Sequence, residues 1–282
     1  MLPATNLLGI IMAFSSALVW GSADFTGGMA TRRRDQYQVV MMSALSGLAL
    51  LVIAALVFGE SFPTWNGIFW AALAGLAGAV GIASLYKGLS IGESAVVAPT
   101  SAVIGAGLPV AFGFLMEGLP DLLRLVGFVL AFAGIWIVSQ TSTEKTGDHR
   151  KGFLLAVIGG LGFAGFMICI SRVDSAKVFT PLIVSRSMVV LAALIILKFN
   201  KTGFPAVRGN WICLLTGVLD AGGNILFMLA KHFTRLDTAV VLSSLYPAAT
   251  VILTGLILKE HISLKQWIGV IVCLAAIILI TL

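Results

Sequence analysis

Two short segments that lie half a chain apart share one pattern: KGLSIGESAVV at residues 87–97 and KHFTRLDTAVV at residues 231–241. Each places a lysine six residues before an acidic residue, and a hydroxyl residue, an alanine and two valines follow the acid. The spacing between the two copies is constant at 144 residues. Chance alignment of Ala-, Val-, Leu- and Gly-rich stretches is the alternative, but the matched charges favour an internal duplication.

The composition around these segments is that of a membrane protein. The 282 residues are 59% hydrophobic and 11% charged, whereas soluble proteins have roughly 45–50% apolar and about 25% charged residues. These values exclude a soluble domain and a disordered chain, and three cysteines are too few for a disulfide scaffold. The net charge of +6 lies in short loops between apolar stretches, which argues against nucleic acid as a partner and for a lipid bilayer.

Ten apolar stretches of about 20 residues, bounded by charges or turn residues, are each long enough to cross a bilayer. The predicted fold class is therefore an all-α membrane protein with ten transmembrane helices. The predicted spans 1 to 10 cover residues 7–29, 37–58, 67–89, 94–116, 122–139, 152–172, 180–198, 210–231, 236–258 and 264–282.

The duplication divides these spans into two sets of five. Glu117 pairs with Glu260 and Gly127 with Gly269 at nearly the same spacing as the quoted segments. We predict a first repeat at 1–139, a linker at 140–151 and a second repeat at 152–282. Because five is odd, the two repeats have opposite orientations in the membrane, as in secondary transporters that bind their substrate between inverted repeats.

The loop charges predict an orientation. The loops that follow the odd-numbered spans, with the adjoining span ends, hold 12 of the 18 Lys and Arg residues. The positive-inside rule therefore places these loops in the cytoplasm and both termini outside. We expect a multi-pass protein of the inner or plasma membrane.

Span 8 carries the most polar face. Asp220, Asn224, Phe227 and Lys231 lie on one side of a helix. Asp220 is about 15 Å into the span at 1.5 Å per residue, close to the middle of the bilayer. A carboxylate there needs a cation or a proton, which predicts a proton site or a site for a substrate amine. A structural acid that is hydrogen-bonded to Asn or Ser neighbours is the alternative.

Span 1 places Trp20 and Asp24 on one face with Ser16. Asp24 is a second candidate for binding a proton or a substrate, although it could instead be an interfacial acid that balances the arginines at 32–34. Trp20 could line a cavity or pack inside the protein.

Span 9 carries Ser243, Tyr246 and Pro247 on one face, and Pro247 frees a backbone carbonyl as in the broken helices of transporter sites. In span 4, Pro99 is a candidate for the same structural role.

Three basic residues are candidates for structural or gating roles. Arg186 lies near the start of span 7, where its side chain could reach the membrane interface or form an ion pair or attract anions. Lys87 and Lys231 hold matching positions in the two repeats. We expect them to reach the interface, and gating pairs with Glu93 and Asp237 are the alternative.

Three patterns resemble the EamA-type transporters of the drug/metabolite transporter superfamily, over essentially the whole chain. They are Trp20-Gly21 with Asp24-Phe25 in span 1, the lone Arg186 in span 7, and Glu260-x₅-Gln266-x₂-Gly269 at span 10, which Glu117 and Gly127 echo.

The resemblance implies secondary active transport of small metabolites by alternating access, usually export, and amino acids or amines suit the polar and aromatic candidates. It also implies a cavity lined by spans 1, 3, 4, 6, 8 and 9, peripheral spans 5 and 10, and cytoplasmic termini in many members. The alternatives are a sugar or nucleotide-type importer or exchanger of the same fold, and a channel or non-transporting partner subunit. The sequence has no motif for catalysis, metal or cofactor, and we expect a monomer or homodimer.

Overall fold

The computed structural model describes residues 3–91, 94–139, 149–174, 176–203, 209–259 and 261–281. These residues form eleven helices in the order α1 (Pro3–Thr31), α2 (Gln36–Val57), α3 (Trp65–Ile91), α4 (Ser94–Glu117), α5 (Leu122–Val138), α6 (His149–Ser171), α7 (Phe179–Phe199), α8 (Trp211–Phe233), α9 (Leu236–Ser243), α10 (Tyr246–Ile257) and α11 (Leu264–Thr281). Residues 140–148 of the predicted linker, and also Glu93 and Glu260, lie outside the described residues.

The ten predicted spans are all present. Nine segments of the described chain are long and apolar enough to cross a membrane, and α5 is a shorter apolar helix. All ten predicted segments are helical, so the all-α membrane fold with ten spanning segments is confirmed.

Span 9 is a broken helix, as the sequence around Pro247 indicates. The segment consists of α9 and α10, which are separated by Ser244 and Leu245. Pro247 is in the first turn of α10, where a missing amide hydrogen does not cost an intrahelical bond. Pro99, in contrast, lies inside a continuous α4 and is buried.

The helices form two bundles, and each bundle takes helices from both halves of the chain. The first consists of α1, α2, α8, α9 and α10, and the second consists of α3, α4, α6 and α7. The bundles meet where α2 packs against α7 and where α4 packs against α9. Helices α5 and α11 pack mainly against each other, as the resemblance implies for spans 5 and 10.

Glycines allow the closest helix approach inside the first bundle. A Cβ atom on Gly217 of α8 would collide with the carbonyl of Ser43 on α2. One on Gly47 of α2 would lie 2.8 Å from the carbonyl of Gly217. Lipid provides no hydrophobic force between helices, so such backbone contact is a main source of their packing energy.

At one end of the molecule, connectors follow α2, α4, α6 and α8. We call this end the capped face, because Glu60 of the first bundle caps α7 of the second bundle there. The carboxylate of Glu60, after α2, accepts hydrogen bonds from the amides of Val178, Phe179 and Thr180 at the start of α7, at 2.7–3.2 Å. The Thr180 hydroxyl also donates to it at 2.7 Å. These bonds satisfy amides that the helix itself leaves free.

Desolvation by itself would raise the pKa of Glu60, but the hydrogen bonds from Thr180, Val178 and Phe179 outweigh it and hold the pKa below its ordinary value. The contact is therefore built for the ionised carboxylate.

We expect Gly217→Ala to destabilise the protein by about 1–3 kcal/mol, the usual cost of overpacking. The measurement is the melting temperature in detergent. Gly107→Ala in α4 is the matched control, because a Cβ there meets nothing within 4 Å, and we expect it to be neutral or slightly stabilising. Equal effects of the two substitutions would contradict the packing of α2 on α8.

The Glu60 cap also predicts a pH dependence of stability. A carboxylate with a depressed pKa contributes stability above its unfolded pKa, and this contribution is lost as pH falls through the lower folded value. We expect the melting temperature of the wild type to exceed that of Glu60→Gln at neutral pH. The difference should shrink as pH falls below the ordinary value of 4.5. A difference that grows on acidification would contradict the cap.

Candidate functional site

Arg186 of α7 and Asp220 of α8 form an ion pair inside the membrane. Arg186 donates from Nη2 to the Oδ2 atom of Asp220. The Arg186 side chain is 10% exposed and that of Asp220 is 35% exposed. The expectation that Arg186 reaches the interface is therefore wrong, because a buried guanidinium with a carboxylate in reach lowers its energy by pairing with it.

Gly47 of α2 leaves space for the side chain of Arg186 in this ion pair. Helix α2 lies between α7 and α8, and a Cβ atom at Gly47 would lie 3.4 Å from Nε of Arg186. The side chain of Arg186 therefore passes directly over the bare backbone of α2 on its way to Asp220.

Asp24 differs from Asp220 in having no partner. It forms no hydrogen bond or ion pair with any described residue, and its side chain is exposed although α1 packs against α8, α9 and α10. It lies within electrostatic range of the Asp220 carboxylate and of the neutral hydroxyl group of Tyr246. It lies seven residues from the end of α1, about 10 Å into the helix. The alternative of an acid that balances the arginines at 32–34 receives no support, since Arg34 donates to Asn210 at 3.1 Å.

Three aromatic side chains form a cluster around Trp20, which lies one helical turn before Asp24. The ring of Trp20 lies 5.8 Å from that of Phe227 and meets that of Tyr246 edge-on at 6.4 Å between centroids. Gly223 leaves the space for the indole, because a Cβ atom there would collide with it. The structure thus brings Trp20, Asp24, Asp220, Phe227 and Tyr246 together from α1, α8 and α10.

Two predicted site residues have internal partners. Asn224 is buried, and its side-chain amide donates to the backbone carbonyl of Asp220 at 2.6 Å. Ser243 is fully buried and donates to the carbonyl of Ala13 at 3.2 Å. The break before Tyr246 also separates Ser243 from the face on which the sequence had placed both.

Of the two matched lysines, Lys231 departs from both interpretations, whereas the gating pair of Lys87 is not tested because Glu93 lies outside the described residues. Nζ of Lys231 donates to the carbonyls of Ile170, Ser171 and Val173 at 3.0–3.4 Å, which closes the C-terminal end of α6. Lys231 therefore neither reaches the interface nor pairs with Asp237. Lys87 is exposed near the end of α3.

A charged cluster that was not predicted from the sequence lies at the start of α9. Arg235 pairs with Asp237 at 2.7 Å and lies 3.8 Å from the carboxylate of Glu117 at the end of α4. The hydrogen bond to Asp237 is the main cause that raises the pKa of Arg235. The short spacing of Arg235 and Asp237 at the start of a helix could have indicated their ion pair from the sequence. The role of Glu117 could not be found in this way, because its contact with Leu236 spans 119 residues.

The surroundings of the candidate site contain both buried and exposed residues. All eight residues of α9 are buried, and so are Ala13, Ala17 and Phe227. Toward the other end of α1, both Asp24 and Gly28 are exposed, and nothing lies within 4 Å of a Cβ atom built on Gly28.

Comparison with known proteins gives a consistent result. A model of the EamA-like transporter family matches residues 7–140 and 150–282. An uncharacterized protein of Methanocaldococcus jannaschii is 30% identical over 132 residues, which cover 46% of this chain and 93% of that protein. A putative sugar uptake protein of Listeria innocua is 25% identical over 162 residues, 56% of each chain.

A more distant relative and a solved structure also match. An uncharacterized solute carrier family 35 member of Schizosaccharomyces pombe is 25% identical over 118 residues, 42% of this chain and 23% of that protein. A crystal structure of another protein superimposes with a TM-score of 0.80 over 97% of this chain and 98% of that chain, at 15% identity. At that identity the likeness concerns the fold alone.

The ion pair of the site predicts a non-additive pair of substitutions. Asp220→Asn and Arg186→Gln each leave one charge without its partner, and we expect each to lower stability by roughly 1–3 kcal/mol. The double variant removes both charges and should recover much of that loss. Melting temperatures of the four proteins measure the coupling, and additive losses would contradict the pair.

Proposed function

The chain belongs to the EamA-like transporter family, and we propose that it exports small organic amines or amino acids across the inner or plasma membrane in exchange for protons. Members of this family are transporters and not enzymes. The observation that carries the proposal is the exposed, unpartnered carboxylate of Asp24 beside a neutral ion pair and an aromatic wall.

The charges of the site favour a monovalent cation. Arg186 neutralises Asp220, and Asp24 leaves one negative charge in a region where water is scarce. One ammonium group or one proton balances that charge, but both together do not. Competition for one carboxylate is the simplest physical basis for exchanging a proton for a substrate amine.

The aromatic wall favours a substrate with an apolar part. Trp20 and Tyr246 present ring faces and edges beside Asp24, and such rings attract cations and pack against apolar groups. For an amino acid, the carboxylate of the substrate would additionally require Arg186 to share its guanidinium between the substrate and Asp220.

The two bundles provide the moving parts for alternating access. Each bundle combines helices of both repeats. The candidate site lies on α1, α8 and α10 of the first bundle, and Arg186 reaches it from α7 of the second bundle. Asp24 and Gly28 lie in the half of α1 that is nearer to the face whose loops and adjoining helix ends hold 12 of the 18 basic residues, which the positive-inside rule places in the cytoplasm. A site that loads from the cytoplasm supports export.

Sugar transport is the second candidate function. The relatives in Listeria innocua and Listeria monocytogenes carry the name putative sugar uptake protein. Aromatic rings beside carboxylates also suit the apolar faces and hydroxyl groups of a sugar. A neutral sugar does not need the negative charge of Asp24 for binding. A neutral substitution of Asp24 therefore distinguishes amine transport from sugar transport.

We expect proteoliposomes that are loaded with a mixed pool of amino acids, amines and sugars to lose amines or amino acids selectively. The loss should increase with an imposed pH gradient, and Asp24→Asn should reduce it by roughly tenfold or more, since one ion-pair contact in a dry site is worth at least 1.4 kcal/mol. Mass spectrometry of the internal pool is the measurement.

The control is Asp35→Asn, because Asp35 caps its own helix α2 away from the site and should leave efflux unchanged. Selective loss of sugars that survives Asp24→Asn would replace the proposal by sugar transport. Flux that does not saturate would indicate a channel, and no flux of any compound would favour a partner subunit.

A further inference from the structure

Three charged contacts join the two bundles at the capped face. The first involves Glu117 at the end of α4, in the second bundle. Its carboxylate accepts a hydrogen bond from the amide of Leu236 at 3.1 Å, the first residue of α9 in the first bundle. In return, Arg235 donates to the backbone carbonyl of Glu117 at 3.2 Å and to that of Gly118.

Asp237 completes this contact from within α9. It is fully buried and holds Arg235 through two nitrogen atoms at 2.7–3.2 Å. Gly113 of α4 packs directly against it, since a Cβ atom there would lie 3.1 Å from Cβ of Asp237. The guanidinium is thereby oriented toward the end of α4 and bridges the two bundles.

The other two contacts have the same character. Glu60 at the end of α2, in the first bundle, caps the start of α7 in the second bundle. Lys231 of α8, in the first bundle, binds the carbonyls at the end of α6 in the second bundle. In each case an ionised side chain of one bundle satisfies backbone groups that a helix end of the other bundle leaves free.

We propose that Glu60, Glu117, Arg235 and Lys231 form a latch that holds the capped face shut, and that this latch must break when the transporter opens toward that face. The contacts cross between bundles, so rotation of one bundle against the other separates them all. Because each is a charge-assisted hydrogen bond to a helix end, their loss shifts the equilibrium between the two access states and not the fold of either bundle.

The inference rests on the alternating access of the proposed function, but its test requires no substrate. The three native cysteines are replaced by alanine, and single cysteines are introduced as reporters. Val241→Cys reports on the capped side, because Val241 is fully buried and lies on the same side of α9 as Asp237. Gly28→Cys reports on the exposed end. The rate of reaction with a hydrophilic maleimide is measured for the full chain in nanodiscs.

We expect Glu117→Gln to raise the labelling rate at Val241→Cys by on the order of tenfold, the effect of losing one charge-assisted hydrogen bond, and to lower the rate at Gly28→Cys. Arg235→Gln removes the same contact from the other bundle and should give the same two changes. Asp35→Asn is the control, because Asp35 also is a helix-capping acid but caps its own helix α2, at 3.0–3.3 Å and at the opposite face.

Opposite changes at the two reporters, absent in the control, support the latch. Unchanged labelling at Val241→Cys overturns the proposal. Increased labelling at both reporters also overturns it, since that result indicates loosened packing and not an exchange between two states. A failure of amine efflux with opposite labelling changes would reject the proposed substrate and leave the latch intact.

Discussion

The structure depends on one constraint, which is that a charge inside a bilayer must have a partner. The ion pair of Arg186 with Asp220 satisfies it for two of the three charges near the centre. The pair fixes α7 relative to α8 across the bare backbone of Gly47 and also neutralises both side chains. Asp24 is the exception, because it is exposed and has no partner among the described residues. A charge that the fold leaves unbalanced at such depth indicates a place where the ligand supplies the balance.

The same rule operates on backbone groups at the capped face. Helix ends expose amides and carbonyls that water would satisfy in a soluble protein. In this protein Glu60, Glu117 and Lys231 satisfy them from the opposite bundle. Polar groups thus act in two ways: inside the membrane they define the candidate site, and at one face they join the two bundles. Small residues such as Gly217 allow the helices to pack closely between the candidate site and the capped face.

The fold was largely predictable because its signals are local. Length and apolarity identify spans, and matched charges at a fixed spacing identify the repeat. The site was predictable in its acids and aromatics, since Asp24, Trp20 and Asp220 violate the apolar pattern.

What the sequence could not provide was pairing across distant segments. Arg186 and Asp220 lie 34 residues apart, and Glu60 and Thr180 lie 120 apart. Pro247 indicated the break in span 9, whereas the same interpretation failed for Pro99, which lies inside a continuous α4.

The central claim is that the unpaired carboxylate is Asp24 and that Asp220 is held by Arg186. Carbodiimide modification of the purified protein, read by peptide mass spectrometry, tests it directly because both acids can be followed in one sample. The account predicts modification of Asp24 with Asp220 protected, and modification of Asp220 once Arg186 is replaced by Gln. Modification of Asp220 in the wild type, with Asp24 unreacted, would contradict the assignment of the site.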